Sequence, residues 1–377
     1  MRKFIISVTA SLLLAGCGGA AAPASPASAS STAAPAKPSV AASAAAASSA
    51  SAKPAASAAA KPAGASAAAK PAGDKLVVVY STIASLYLPL WMCGDGGVCA
   101  RNGLQVDVRL MPSSAPAMAA LLAGETQVYQ GGGSDVLSAA AGGADLVALA
   151  TMAPVYPYKL EVAPEIKTGA DLKGKKLAIG SIGDTSDVAT RLALRSFGLE
   201  AEKDVALVAV GGVPQRTAAL QSGAVQGAVD SPPSNLTLEK LGFHPLVDIA
   251  TLGGSSANQV VTVQRSWLNA HKDIAQRYID SMIQSVVKTK ADKTQSVALL
   301  KKYYKSDDDA AMSFAYDYAT KEAISSQPFP KVEQFTDSVA TLSKTNPKLA
   351  TFDIGKVLDP SFVQNAVDRH LDTQPVP

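Results

Sequence analysis

The sequence predicts an α/β protein of two lobes, each a mostly parallel sheet flanked by helices, with a hinge between them. Three observations carry this. Apolar runs of strand length alternate with helical stretches, the pattern of a parallel sheet with helices on its faces. Two distant segments repeat each other. The stretch from Lys75 onward is roughly 300 residues, which fits two typical domains better than one.

The chain opens on Arg2 and Lys3, followed by a mainly apolar stretch from Phe4 to Ala15. A bilayer span needs about 20 apolar residues, so this stretch has the size of a signal-peptide core. It ends in Leu14-Ala15-Gly16-Cys17, which resembles the lipobox of bacterial lipoproteins. That resemblance implies a signal peptide over 1–16, cleavage before Cys17 and a diacylglycerol on its thiol. Residues 17–74 are almost wholly Ala, Ser, Pro, Lys and Gly, with Ala-Lys-Pro recurring at 36–38, 52–54, 60–62 and 69–71. Nothing there offsets the conformational entropy of folding, and the prolines break long helices. The segment is expected to be a disordered tether.

The first lobe is expected over 75–157 and 258–377, the second over 158–257. Lys75–Ser81 reads as a buried strand, and Lys176–Ser181 echoes it. Ala119–Val128 is echoed by Ala218–Gly227. Each of these follows a proline (Pro116, Pro214), contains a glycine suited to a helix stop, and runs into a short apolar strand and a turn. In such sheets ligands sit at the carboxyl ends of the strands. Two facing lobes therefore make a cleft walled by four loops. In the first half Cys93 and Cys99 stand around a glycine-rich spacer. Zinc needs four ligands and no other Cys or His is near; a redox pair wants two intervening residues. Outside the cytoplasm close thiols oxidise, so a Cys93–Cys99 disulfide is expected. Beyond Ser266 the pattern is largely helical, with Asp307–Ile324 and Lys331–Leu342 as further helices packing on the first lobe and its hinge.

Several stretches, in this order, resemble the extracytoplasmic substrate-binding proteins of ABC importers, in the nitrate/sulfonate/taurine and thiamine-pyrimidine-precursor group. They are Asn102–Val108, Leu121–Gln127, Ala170–Ala178, Gln226–Pro233 and Trp267–Ser281. The sequence departs from that group at Cys93–Cys99, where the group has a different helix sequence, and at Gln127 and Gln226, where Asp is common. The resemblance implies a type II periplasmic-binding-protein fold and a monomeric, lipid-anchored receptor outside the cytoplasm. Its implied partners are a small-molecule ligand, ABC permease subunits and, through the anchor, the membrane. Its task would be to capture a small organic molecule or anion and deliver it to the permease. A ligand-binding sensor without transport, or an enzyme on the same fold, is the alternative.

The candidate ligand residues come from the four loops. They are Thr82, Ser85 and Tyr87; Gly132, Gly133 and Ser134; Ser181, Thr185 and Ser186; and Ser231 and Pro232. Hydroxyls, flexible glycines and unpaired helix-start amides suit an oxygen-bearing ligand. Asp184 and Asp187 read as solvated helix-start residues. The loops carry no lysine or arginine, which argues against a strongly charged dianion. Of the 34 basic residues, two lie in the leader and four in the tether; the rest nearly balance the 31 acidic ones. No basic stripe suggests a nucleic acid. His244, His271 and His370 lie apart, without a sequence-adjacent nucleophile. Neither a catalytic residue, a cofactor nor a metal is expected.

Overall fold

The computed structural model describes residues 73–252 and 255–376. The leader, Cys17 and most of the tether lie outside them. The first part runs β1 (Asp74–Tyr80), α1 (Leu88–Gly94), α2 (Val98–Arg101), β2 (Leu104–Leu110), α3 (Ser114–Leu122), β3 (Val128–Gly131), α4 (Gly133–Ala141) and β4 (Leu146–Ala153). The chain then crosses to β5 (Lys159–Val162), β6 (Lys176–Ile179), α5 (Thr185–Ser196), β7 (Ala206–Ala209), α6 (Val213–Gln221), β8 (Gly227–Asp230), α7 (Ser234–Lys240) and β9 (His244–Asp248). It returns as β10 (Asn258–Gln264) and ends in α8 (Arg265–Ala270), α9 (Lys272–Ala291), α10 (Lys293–Tyr304), α11 (Asp309–Tyr318), α12 (Thr336–Leu342) and α13 (Ser361–Asp368).

Two five-stranded sheets result, ordered β2-β1-β3-β10-β4 and β7-β6-β8-β5-β9. In each, one strand runs against the other four: β10 in the first, β5 in the second. These are the strands that enter from the other sheet. A chain leaving the carboxyl edge of one sheet meets the facing sheet at its carboxyl edge, so the entering strand must run backwards. The "mostly parallel" expectation thus holds by strand direction, with one reversed strand per sheet.

Strand residues alternate between faces. Val78 and Tyr80 join the core under α1 and α9, while Val79 joins the core under α3 and α4. β4 is buried along its whole length, as expected for a strand covered on both faces. The two echoed helices, α3 and α6, are each followed by a left-handed glycine, Gly124 (φ 76°) and Gly223 (φ 73°), where a side chain would be strained.

Three details differ from the sequence reading. β1 starts one residue early, because Asp74 pairs with Arg277 at 2.5 Å and its N–H donates to Gly103 O at 3.0 Å. The long helix after the return crossing is broken at His271 into α8 and α9. Among the C-terminal helices, α12 packs on α5 of the second lobe as well as on α4, and Arg195 donates to Thr341 Oγ1 at 3.1 Å. Cys93 and Cys99 are buried with Cα atoms 4.8 Å apart, a separation a disulfide spans. No helix among the described residues is long and apolar enough to cross a membrane.

Candidate functional site

The carboxyl ends of both sheets face one cavity of about 50 Å³. The starts of α3, α4, α5 and α6 all border it. The walls touch across it. Val213 N–H donates to Thr82 Oγ1 at 2.8 Å, Ser85 Oγ to Pro232 O at 3.3 Å, and Ser134 Oγ lies 3.3 Å from Thr185 Oγ1. The cleft is therefore closed in this structure.

Of the eleven loop residues expected to meet a ligand, Thr82, Tyr87, Gly132, Thr185, Ser186 and Ser231 line the cavity. The others are spent on holding its walls. Ser85, Pro232 and Ser134 make the inter-lobe contacts just described. Gly133 N–H donates to Ala257 O at 2.7 Å, and Ser181 N–H to Asp184 Oδ2 at 2.8 Å.

The larger share of the chemistry comes from residues outside that set. Arg216 reaches the cavity from the first turn of α6 and is 2% exposed. Its Nε donates to Val229 O at 2.9 Å and its Nη1 to Gly211 O at 3.3 Å, while Nη2 has no protein partner. Four more buried lining atoms lack partners: Ser114 Oγ, Ser231 Oγ, Asn258 Nδ2 and Gln259 Oε1. Asn258 is fixed by its own Oδ1, which accepts Gln259 N–H at 3.1 Å. Gln259 sits at φ 56°, a left-handed conformation unusual for a strand residue. Buried polar atoms are normally paired, and leaving each unpaired costs roughly 1–3 kcal/mol. Five such atoms converging on one space describe a binding surface.

Two carboxylates complete the wall. Asp184 caps α5: its Oδ1 accepts from Asp187 N–H at 2.9 Å and from Ser186 Oγ at 2.6 Å. Asp135, on α4, accepts from the Tyr129 hydroxyl at 2.8 Å. Burial, then the charge of Asp184, pushes Asp135 up to about 7. Burial raises Asp184 as well. Asp230, beneath Arg216, is pushed up to about 6 by burial, with Arg216 opposing. Tyr158 lies 5.8 Å from the Arg216 guanidinium carbon, and burial raises its hydroxyl to about 12.

Two expectations are corrected here. Asp184 and Asp187 are not simply solvated: Asp184 is half-buried and lines the cavity, and Asp187 is 1% exposed and pairs with Arg191 at 2.7 Å. The cleft is also not free of cations, because Arg216 enters it from a helix rather than a loop. The internal echo held that signal. It aligns Arg216 with Ala117, so a charge stands on a face that is apolar and buried in the first half. For Asn258 and Gln259 no sequence signal existed, since a reversed strand carries them to the cleft.

The profile of the NMT1-like family matches residues 84–300. The chain belongs to the NMT1-like family. The match spans the first lobe's opening helix, the whole second sheet and the return strand, and so contains every lining residue named above except Thr82. No curated protein matches the sequence. Among solved structures, the periplasmic aliphatic sulphonate binding protein SsuA from Escherichia coli is similar at 23% identity and a TM-score of 0.61, covering 76% of this chain and 92% of its own. The periplasmic nitrate-binding protein NrtA from Synechocystis PCC 6803 aligns at 13% identity and a TM-score of 0.64, covering 79% and 89%. DSZB, an enzyme solved with biphenyl-2-sulfinic acid, aligns at 17% identity and a TM-score of 0.57, covering 79% and 99%. These likenesses establish the periplasmic-binding-protein fold for this member of the family.

Proposed function

We propose that the protein is the solute-binding receptor of an ABC importer. It captures a small organic molecule or anion in the cleft and delivers it to a membrane permease. The observation that carries this reading is the convergence of five partnerless buried polar atoms, from both lobes, on one closed cavity. The fold relatives named for sulphonate and nitrate binding support it. Arg216 Nη2 and the side-chain donors around it suit an oxygen-rich group, and Tyr87 and Tyr158 supply ring surface. The cavity of about 50 Å³ is well below the several hundred Å³ usual for organic ligands, so larger solutes enter by opening.

In this reading 75–157 with 258–377 and 158–257 are lobes that pivot on the two crossings and close around the solute. The closed form is the one the permease selects. The receptor is a monomer held outside the cytoplasm by a lipid on Cys17, with Cys93 and Cys99 oxidised, and it turns nothing over.

The test is a thermal-shift screen of the purified protein against aliphatic sulfonates, nitrate, carboxylates, pyrimidines and amino acids. One class should raise the melting temperature saturably and be recovered unchanged. A compound that is consumed would make the protein an enzyme, as DSZB is. A panel with no shift would overturn the receptor reading for these solutes.

A further inference from the structure

We propose that Asp135 and Asp184 form a proton-binding site that is assembled only when the lobes close, so that closure takes up one proton. The inference rests on the closure step of the receptor reading, but not on the identity of the solute.

The two carboxylates come from opposite lobes, one from α4 and one from the start of α5, and line the same small cavity. The residues next to them meet: Ser134 Oγ lies 3.3 Å from Thr185 Oγ1. A Cβ at Gly132 would press at once on Asp135 Oδ2 and on Thr185 Oγ1, the residue after Asp184. No lysine lines the cavity among the described residues. Its one cation, Arg216, spends two of its three nitrogens on backbone carbonyls and lies beside Asp230. The remaining polar groups near Asp135 are neutral: the Tyr129 hydroxyl from β3, Ser114 from α3, Tyr87 before α1, Tyr158 in the crossing and Thr185 on α5. Five partnerless polar atoms in the same walls show that the space is built to be occupied.

Burial raises Asp184 too, but its hydrogen-bond donors oppose that shift and favour it as the anion of the pair. Its oxygens already accept from Ser181 N–H, Ser186 Oγ and Asp187 N–H. Asp135 therefore takes the proton. Opening would carry Asp184 away and admit water to Asp135, which lowers its proton affinity. In the closed form burial and Asp184 push it up to about 7. A carboxylate whose affinity rises on closure favours the closed form on the acid side. The advantage appears as pH falls below about 7 and is lost as pH rises through it. With one proton linked, the closed-to-open ratio changes by at most about tenfold per pH unit in that window.

The experiment measures an inter-lobe distance in solution between spin labels at K173C and K272C, in full-length protein carrying Cys17→Ser. Without solute, the closed population should grow between pH 8 and pH 5. D135N, which keeps the shape and the acceptor for Tyr129, should be flat. Glu161→Gln should behave as wild type, although burial pushes Glu161 on β5 up to about 8 and it titrates nearby. A flat wild type, or a slope that survives in D135N, overturns the proposal. The receptor reading fails separately, if no solute of the screen shifts this distance at any pH.

Discussion

Arg216 is the residue on which binding is expected to turn. Two of its nitrogens are fixed by the Val229 and Gly211 carbonyls, which aim the third into the cavity. A hydrogen bond from a charged donor is worth roughly 1.5–3 kcal/mol, so Arg216→Ala should weaken the solute found in the screen by about 10- to 150-fold. Arg216→Lys should not rescue it, because an ammonium cannot hold both carbonyls and still point a donor inward. Isothermal titration beside a melting curve separates lost binding from lost fold; unchanged affinity in R216A would remove Arg216 from the site. Gln259 shows the same logic in the backbone. Its left-handed φ costs energy and persists where its amide reaches the cavity.

At the scale of the element, α1 and its following turn depart most from the family pattern noted in the sequence. α1 is short and buried, and its far end is held rather than left to fray. Asp95 accepts from Lys302 at 2.7 Å and from the Tyr303 hydroxyl at 2.8 Å, and Tyr303 stacks on Trp91 at 4.1 Å. The Cys93–Cys99 pair closes the same turn. A loop this short restricts the unfolded chain by roughly 2 kcal/mol when bridged. Reductant should therefore lower the melting temperature of the wild type by about 3 °C. It should leave a Cys93→Ala/Cys99→Ala variant unchanged. An equal response in both would show that the thiols are not bridged.

Across the whole molecule, closure depends on the Gly132 backbone meeting the Thr185 side chain. Gly132 borders Thr185 with no room for a side chain between them. Gly132 has an ordinary φ of −70°, so alanine there strains no backbone; its Cβ would meet Thr185 of the facing lobe and the carboxylate end of Asp135 in its own. Gly132→Ala should prop the cleft open, keeping a larger radius of gyration in small-angle scattering with saturating solute. Its melting temperature without solute should fall less than its affinity. Full compaction in G132A would mean that the lobes close elsewhere. α12 bears on the same motion, since it packs on α4 and α5 together and ties the lobes behind the cavity.

The alternation of apolar runs and helical stretches, the glycine stops after α3 and α6, and the internal echo were legible in the sequence. They are local or periodic, and each reports one element's own burial or turn. Six cavity residues were legible too, because loops at strand ends are fixed by the α/β topology. Arg216 was marked only as a charge on an otherwise apolar helix face; sequence could not place Asn258 and Gln259 in the cavity, nor set Asp135 opposite Asp184. Those placements depend on one reversed strand per sheet and on the closing of one lobe over the other. Burial without a partner, which marks the site and shifts its carboxylates, is a property of the space between residues distant in the chain. It exists only once the tertiary structure has formed.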